Sequence, residues 1–70
     1  MMIHITSEYI TLGQLLKLTD YIQSGGQAKC MVKQLNITVN NAKEDRRGRK
    51  LYHGDIVVIE GSTYQIVKDR

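Results

Sequence analysis

Between Lys29 and Lys50 the chain gathers seven cationic side chains: Lys29, Lys33, Lys43, Arg46, Arg47, Arg49 and Lys50. Only Glu44 and Asp45 oppose them there, which leaves the stretch at +5. The other three cations, Lys17, Lys68 and Arg70, face five carboxylates, a balance of −2. These residue types suit phosphate. The guanidinium fork matches phosphate oxygens in pairs, and lysine adds a compact point charge. A basic field concentrated on a near-neutral body is the footprint of a polyanion-binding surface. Charge kept only for solubility would be scattered. The seven cations are therefore the candidate binding residues.

Aromatic residues are sparse around this cluster. Tyr52 is the only one near it in sequence, and it reads as a packing residue with a wet hydroxyl. That pattern points to structured RNA recognised by shape and backbone, not to a reader that stacks successive unpaired bases. Gly48, inside the cluster, would let the backbone approach a ligand closely. Neutralising Arg46, Arg47 and Arg49 together is expected to abolish RNA binding and leave the fold intact. A second class of function stays open, an adaptor that docks an acidic protein partner through the same basic face. Such a surface usually carries an exposed apolar patch as well, and the sequence shows none.

Signals for catalysis are weak. Glu44 and Asp45 sit beside the arginines and read as moderators of their field. Asp55 follows a glycine in a turn, where Asp commonly bonds its own backbone. His53 lies in the same turn. No Cys/His spacing suits zinc and no P-loop is present. The expectation is a protein that is not an enzyme, with no catalytic residue, no cofactor, no metal and no small-molecule substrate.

With 70 residues the chain forms a single domain, residues 1–70, with a small core. It lacks Trp, Phe and Pro, so Ile, Leu, Val, Met and Tyr must fill that core. Cys30 is the one cysteine; it excludes an internal disulfide, fits a reducing cytosol and reads as a small buried hydrophobe. No apolar run approaches membrane-span length and no signal-peptide pattern opens the chain, so a cytoplasmic monomer away from membranes is expected. The sequon Asn36-Ile37-Thr38 is a chance match in that setting.

The elements that would position the cations are legible in outline. Ile3 and Ile5 alternate with His4 as a short strand with His4 outward. Thr11 and Gln14 form a capping box, with Ile10 and Leu15 as its hydrophobic staple. The helix so started carries Leu12, Leu15, Leu16 and Ile22 on one face, with Thr19, and should end near Gln23. Ser24 and Gln27 repeat the capping spacing before a second helix. Ala28, Met31, Val32 and Leu35 would face inward there, and Lys29 and Lys33 outward. Gly25-Gly26 at its start reads either as exposed amides that suit a phosphate or as a flexible joint.

Ile37-Thr38-Val39, an Asn40-Asn41 type I′ turn and Ala42-Lys43-Glu44 form a hairpin. Asp45 to Lys50 is a loop that Leu51 anchors inward. After the His53-Gly54-Asp55 turn, Ile56 to Ile59 is the strongest strand. It turns at Glu60-Gly61-Ser62 into a final strand holding Tyr64, Ile66 and Val67.

Helices, hairpin, basic loop and Gly-Asp turn in this order resemble the alpha-L RNA-binding domain named after ribosomal small-subunit protein four, the S-four domain. Ala28-Lys29, Val32, Ile37, Val39-Asn40 and Gly54-Asp55 carry the likeness. The pattern ITLGQLLK, SGGQAK, VNN, RRGRKL and GD resembles its small stand-alone bacterial branch, the YaaA or YbcJ type, over nearly the whole chain. The resemblance implies an α+β fold, with two helices packed on a small, curved, mostly antiparallel sheet. It implies binding of structured, ribosomal RNA in ribosome assembly or translation. The second helix (Lys29, Lys33) and the loop (Arg46, Arg47, Arg49, Lys50) would make the contacts. Val32, Ile37 and Val39 map to core positions and Asn40 to the hairpin turn. The chain departs from the broad family at Gly25, where relatives often have Arg, and at Leu35, where they usually have Gly. Asn41 replaces the usual turn glycine, and Thr11-Leu12-Gly13 replaces Arg-Leu-Asp.

Overall fold

The computed structural model describes residues 1–69. Seven strands and two helices follow in chain order. They are β1 (Met2–Ile5), β2 (Ile10–Thr11), α1 (Leu12–Leu18), α2 (Gly25–Gln34), β3 (Ile37–Val39), β4 (Ala42–Lys43), β5 (Lys50–Leu51), β6 (Ile56–Ile59) and β7 (Ser62–Lys68). Five strands make one mixed sheet in the order β1-β7-β6-β3-β4, and β2 pairs with β5 in a separate antiparallel ribbon. The β1–β7 pair is parallel, with Ile3 opposite Ile66, and every other pair is antiparallel. This is the α+β architecture that the element order implies.

Alternation builds the core. Ile3 and Ile5 of β1, Ile37 and Val39 of β3, Val57 and Ile59 of β6, and Tyr64 and Ile66 of β7 turn to one face of the sheet. The helices cover that face with Leu12, Leu15, Leu16, Ala28 and Val32, and Ile10 and Leu51 of the small ribbon join the same cluster. Leu51, wholly buried, anchors the end of the basic loop as expected.

Both tight hairpins use non-glycine residues in the left-handed region. Asn40 and Asn41 take φ of 52° and 69°, the pair of positive values a type I′ turn requires. Glu60 (50°) and Gly61 (85°) do the same between β6 and β7. Asn40 is also a brace. Its Oδ1 accepts the Ile56 amide at 3.0 Å, and its Nδ2 donates to Asp55 Oδ1 at 3.2 Å.

The helix starts and stops hold one confirmation and two corrections. Thr11 Oγ1 accepts the Gln14 amide while Gln14 Oε1 accepts the Thr11 amide, so the predicted capping box is present. The first helix, however, ends at Leu18 and not near Gln23. The Asp20 amide donates to Lys17 O and the Tyr21 amide to Leu16 O, with Asp20 at φ 64°. This is a Schellman stop with aspartate where glycine is usual. The Thr19 hydroxyl takes the Leu15 carbonyl as well. Ile22 is still buried, reached through the loop, and Tyr21 is pinned by its hydroxyl donating to Ile59 O at 3.2 Å.

Ser24 occupies the N-cap of α2 but its hydroxyl caps nothing. Gln27 Oε1 reaches one residue further back and accepts the Gln23 amide at 2.6 Å, which leaves no closed box. Cys30 is exposed, not buried, because α2 turns Ala28 and Val32 to the core and its neighbours outward. The returning strand stops at Lys43, one residue short of Glu44.

The Asp20 stop generates a stability prediction. A Cβ at positive φ is strained by about 1 kcal/mol or more, so Asp20→Gly should stabilise the protein by about 0.5–1 kcal/mol net of glycine's greater unfolded-state freedom. Thermal unfolding should show a Tm higher by several degrees.

Candidate nucleic-acid interface

The basic loop is tied down from both sides. Its backbone is held by α1. The Leu12 amide donates to Arg49 O and the Gly13 amide to Arg47 O, both at 2.9 Å. With Gln14 held by Thr11, the first three amides of the helix are all used, and two of their acceptors are loop carbonyls. The loop closes on itself through the Arg49 amide, which donates to Arg46 O at 3.2 Å. Gly13 packs closely under the loop. A Cβ there would stand 3.4 Å from both Arg47 O and the Ala28 side chain, at the edge of ordinary contact, so alanine would just fit and a longer side chain would meet the loop. Gly48, by contrast, faces open space.

The second tie is Glu44. Its side chain, which the sequence reads as a moderator of the arginines' field, is only 6% exposed. Oε2 accepts Arg46 Nε at 2.9 Å and the Arg46 amide at 3.1 Å. Oε1 accepts Arg49 Nη1 at 2.7 Å and Arg46 Nη2 at 3.2 Å. The Arg46 side chain is the main cause that lowers the Glu44 pKa from an ordinary 4.5 to about 2. Burial opposes this, and the Arg49 bond and the Arg46 amide add to it. Glu44 is thus a clamp that ties the loop's two flanking arginines to one carboxylate.

These contacts divide the candidate residues. Arg46 is 70% exposed yet paired on its fork, and Arg49 is half-buried against Glu44. Neutralising Arg46, Arg47 and Arg49 together would therefore strand a buried carboxylate, so the triple change is expected to cost stability as well as charge. Arg47 and Lys50 are exposed, as are Lys29 and Lys33 on α2 and Lys43 on the edge strand β4. Among the described residues none of these five has a carboxylate within ion-pair reach.

A groove of about 370 Å³ brings α1, α2 and the loop together, lined by Gly13, Gln14, Lys17, Ala28, Arg47 and Gly48. Lys29 follows Ala28 directly, and Lys33 lies about 6 Å further along the helix. Lys17 shares this groove with Arg47. Sequence reasoning set it aside with the rest of the chain; its position three residues after the exposed Gln14, on the same helix face, was the available signal.

A second omission is Tyr9. The ribbon register sets Ile10 opposite Leu51 and Thr11 opposite Lys50, which brings Tyr9 beside Tyr52. The ring centroids are 5.7 Å apart at a tilt of 49°, and Lys50 Nζ stands 5.0 Å from the Tyr9 centroid. The loop therefore borders two tyrosines, not one.

The Gly54-Asp55 turn serves structure. Gly54 takes φ 93°, Asp55 Oδ2 accepts the Tyr52 amide at 2.8 Å, and His53 Nδ1 accepts the Lys68 amide at 3.0 Å.

A two-helix α+β module that docks a cationic loop on its first helix defines the class. Its family model, described as the S4 domain, matches residues 3–67, and the chain belongs to that family. The chain is 54% identical over 66 residues, 93% of each chain, to a Bacillus subtilis protein named "Probable ribosome maturation protein RlbA". It is 34% identical over 59 residues, 84% of each chain, to an Escherichia coli protein named "Putative RNA-binding protein YbcJ".

The clamp has a pH signature. Because folding lowers the Glu44 pKa, its contribution is fully present above about 4.5 and is lost as pH falls toward 2. Glu44→Gln should destabilise the protein at neutral pH by about 1–3 kcal/mol and flatten the loss of stability through that window. Urea unfolding of both proteins across the acid range measures each effect.

Proposed function

We propose that this chain binds structured RNA, with ribosomal RNA as its target, and acts as a monomer in the maturation of the ribosome without a catalytic step. The observation that carries the reading is the loop itself. Its carbonyls are consumed by α1 and its flanking arginines by Glu44, so it is an ordered cationic ridge beside the lysines of α2. Preformed charge in fixed geometry suits the regular phosphate spacing of an RNA helix, which proteins recognise by shape and backbone. The names of the two relatives agree with this reading.

Lys29, Lys33, Arg47 and Lys50 are the principal contacts, with Lys17 at the groove wall. Lys43 extends the surface along β4. Arg46 and Arg49 add charge beyond what Glu44 cancels.

The test is affinity for a ribosomal RNA hairpin across a salt series, with a DNA duplex of equal length beside it. Each phosphate contact contributes about −0.7 to −0.9 to the slope of log K against log salt. Changing Lys29, Lys33 and Arg47 together to Gln, none of which holds another side chain, should make the slope shallower by about 2–3 with circular dichroism unchanged. RNA should be preferred to DNA. An unaltered slope would remove these residues from the interface, and no binding at low salt would remove RNA from the reading.

A further inference from the structure

We infer that Tyr52, backed by Tyr9 and Lys50, forms a stacking subsite for one unpaired nucleotide of the bound RNA. The inference rests on the RNA-binding reading above and adds a specific requirement to the target: a bulged or flanking nucleotide next to the helix.

The ribbon of β2 and β5 has two faces. Ile10 and Leu51 point into the core. By the alternation of an antiparallel ladder, Thr11 and Lys50 share the opposite face, and Tyr9 and Tyr52 continue it. Tyr9 is 37% exposed and Tyr52 44%, in a chain whose other tyrosines, Tyr21 and Tyr64, bond to each other at 3.4 Å against the sheet. Both rings remain part exposed beside the most basic segment of the chain, and neither belongs to the core cluster.

The site has what a nucleotide needs. An open surface hollow of about 440 Å³ is lined by Tyr52 together with Arg46, Gly48, Arg49 and Lys50. That volume falls in the range that takes a nucleotide-sized ligand. The ring offers a π face to a base, and the cations offer partners to the phosphate that follows it. Gly48 keeps the wall open, since no atom stands within 4 Å of where its Cβ would be.

The platform is also preset. The Asp55 carboxylate fixes the Tyr52 amide at 2.8 Å, and Asn40 fixes that carboxylate in turn. Lys50 Nζ, 5.0 Å from the Tyr9 ring, holds the supporting tyrosine in a cation–π contact. Little order has to be created when a base arrives.

The experiment compares three RNA hairpins of the same stem: fully paired, with one bulged adenine, and with an abasic site at the bulge. Wild type should bind the bulged hairpin about tenfold more tightly than the other two, within the range of one base–aromatic stack. A 2-aminopurine in place of the bulged adenine should lose fluorescence on binding. Tyr52→Ala should erase the preference and keep the affinity for the paired stem, which also shows that the variant is folded. Tyr52→Phe should restore the preference. Equal binding of all three hairpins by wild type, or a preference that survives Tyr52→Ala, would overturn the subsite and leave the RNA-binding reading standing. Failure to bind any hairpin would overturn both.

Discussion

A carboxylate removed from water must be met by charge, and in this chain Glu44 is met by the two arginines that flank its cationic loop. The rest of the cationic face depends on that arrangement. Without the carboxylate, Arg46 and Arg49 would repel each other and the lysines nearby. With it, they become the two feet of a short arch whose crown is Arg47-Gly48. The negative charge that seemed to weaken the basic field is what gives the field a shape.

The second constraint is the amino-terminal end of α1. A helix start presents unpaired amides and a partial positive charge, an unlikely neighbour for a cluster of cations. Here the loop meets it with carbonyls, not side chains. The Arg47 and Arg49 carbonyls take the helix amides, and the Arg47 side chain is left outside. Gly13 lies directly under this contact, with room for little more than a methyl group before the loop is met. Backbone faces backbone, side chains face solvent, and the two ties do not compete for the same atoms.

Much of this was written locally in the sequence. The capping box at Thr11, the Asn40-Asn41 turn, the β-branched run from Ile56 and the inward Leu51 each follow from neighbours a few residues apart, and the structure places each of them as read. What was not legible depended on distant partners. Glu44 reads as a moderator of the arginines' charge because nothing in its neighbourhood shows that the chain just beyond β4 buries it. Tyr9 lies more than forty residues from Tyr52, and only the β2–β5 register joins them. The Schellman stop at Asp20 hides because aspartate stands where the signal is glycine. The parallel β1–β7 pair, which joins the two ends of the chain, has no local signature at all.

The arrangement also bears on how such a small domain can bind with specificity. A disordered basic tail of equal charge would attract any polyanion, and ordering it on contact would consume part of the binding free energy. Here the ordering is done in folding, by two backbone hydrogen bonds and a buried carboxylate. On the proposed reading, the loop backbone that carries the cations is already ordered when a ligand arrives, and a phosphate array that does not match it would gain less from their charge. The same argument makes two carboxylate-paired arginines compatible with the proposed binding role: they would reduce the raw attraction and leave the arch with a defined shape.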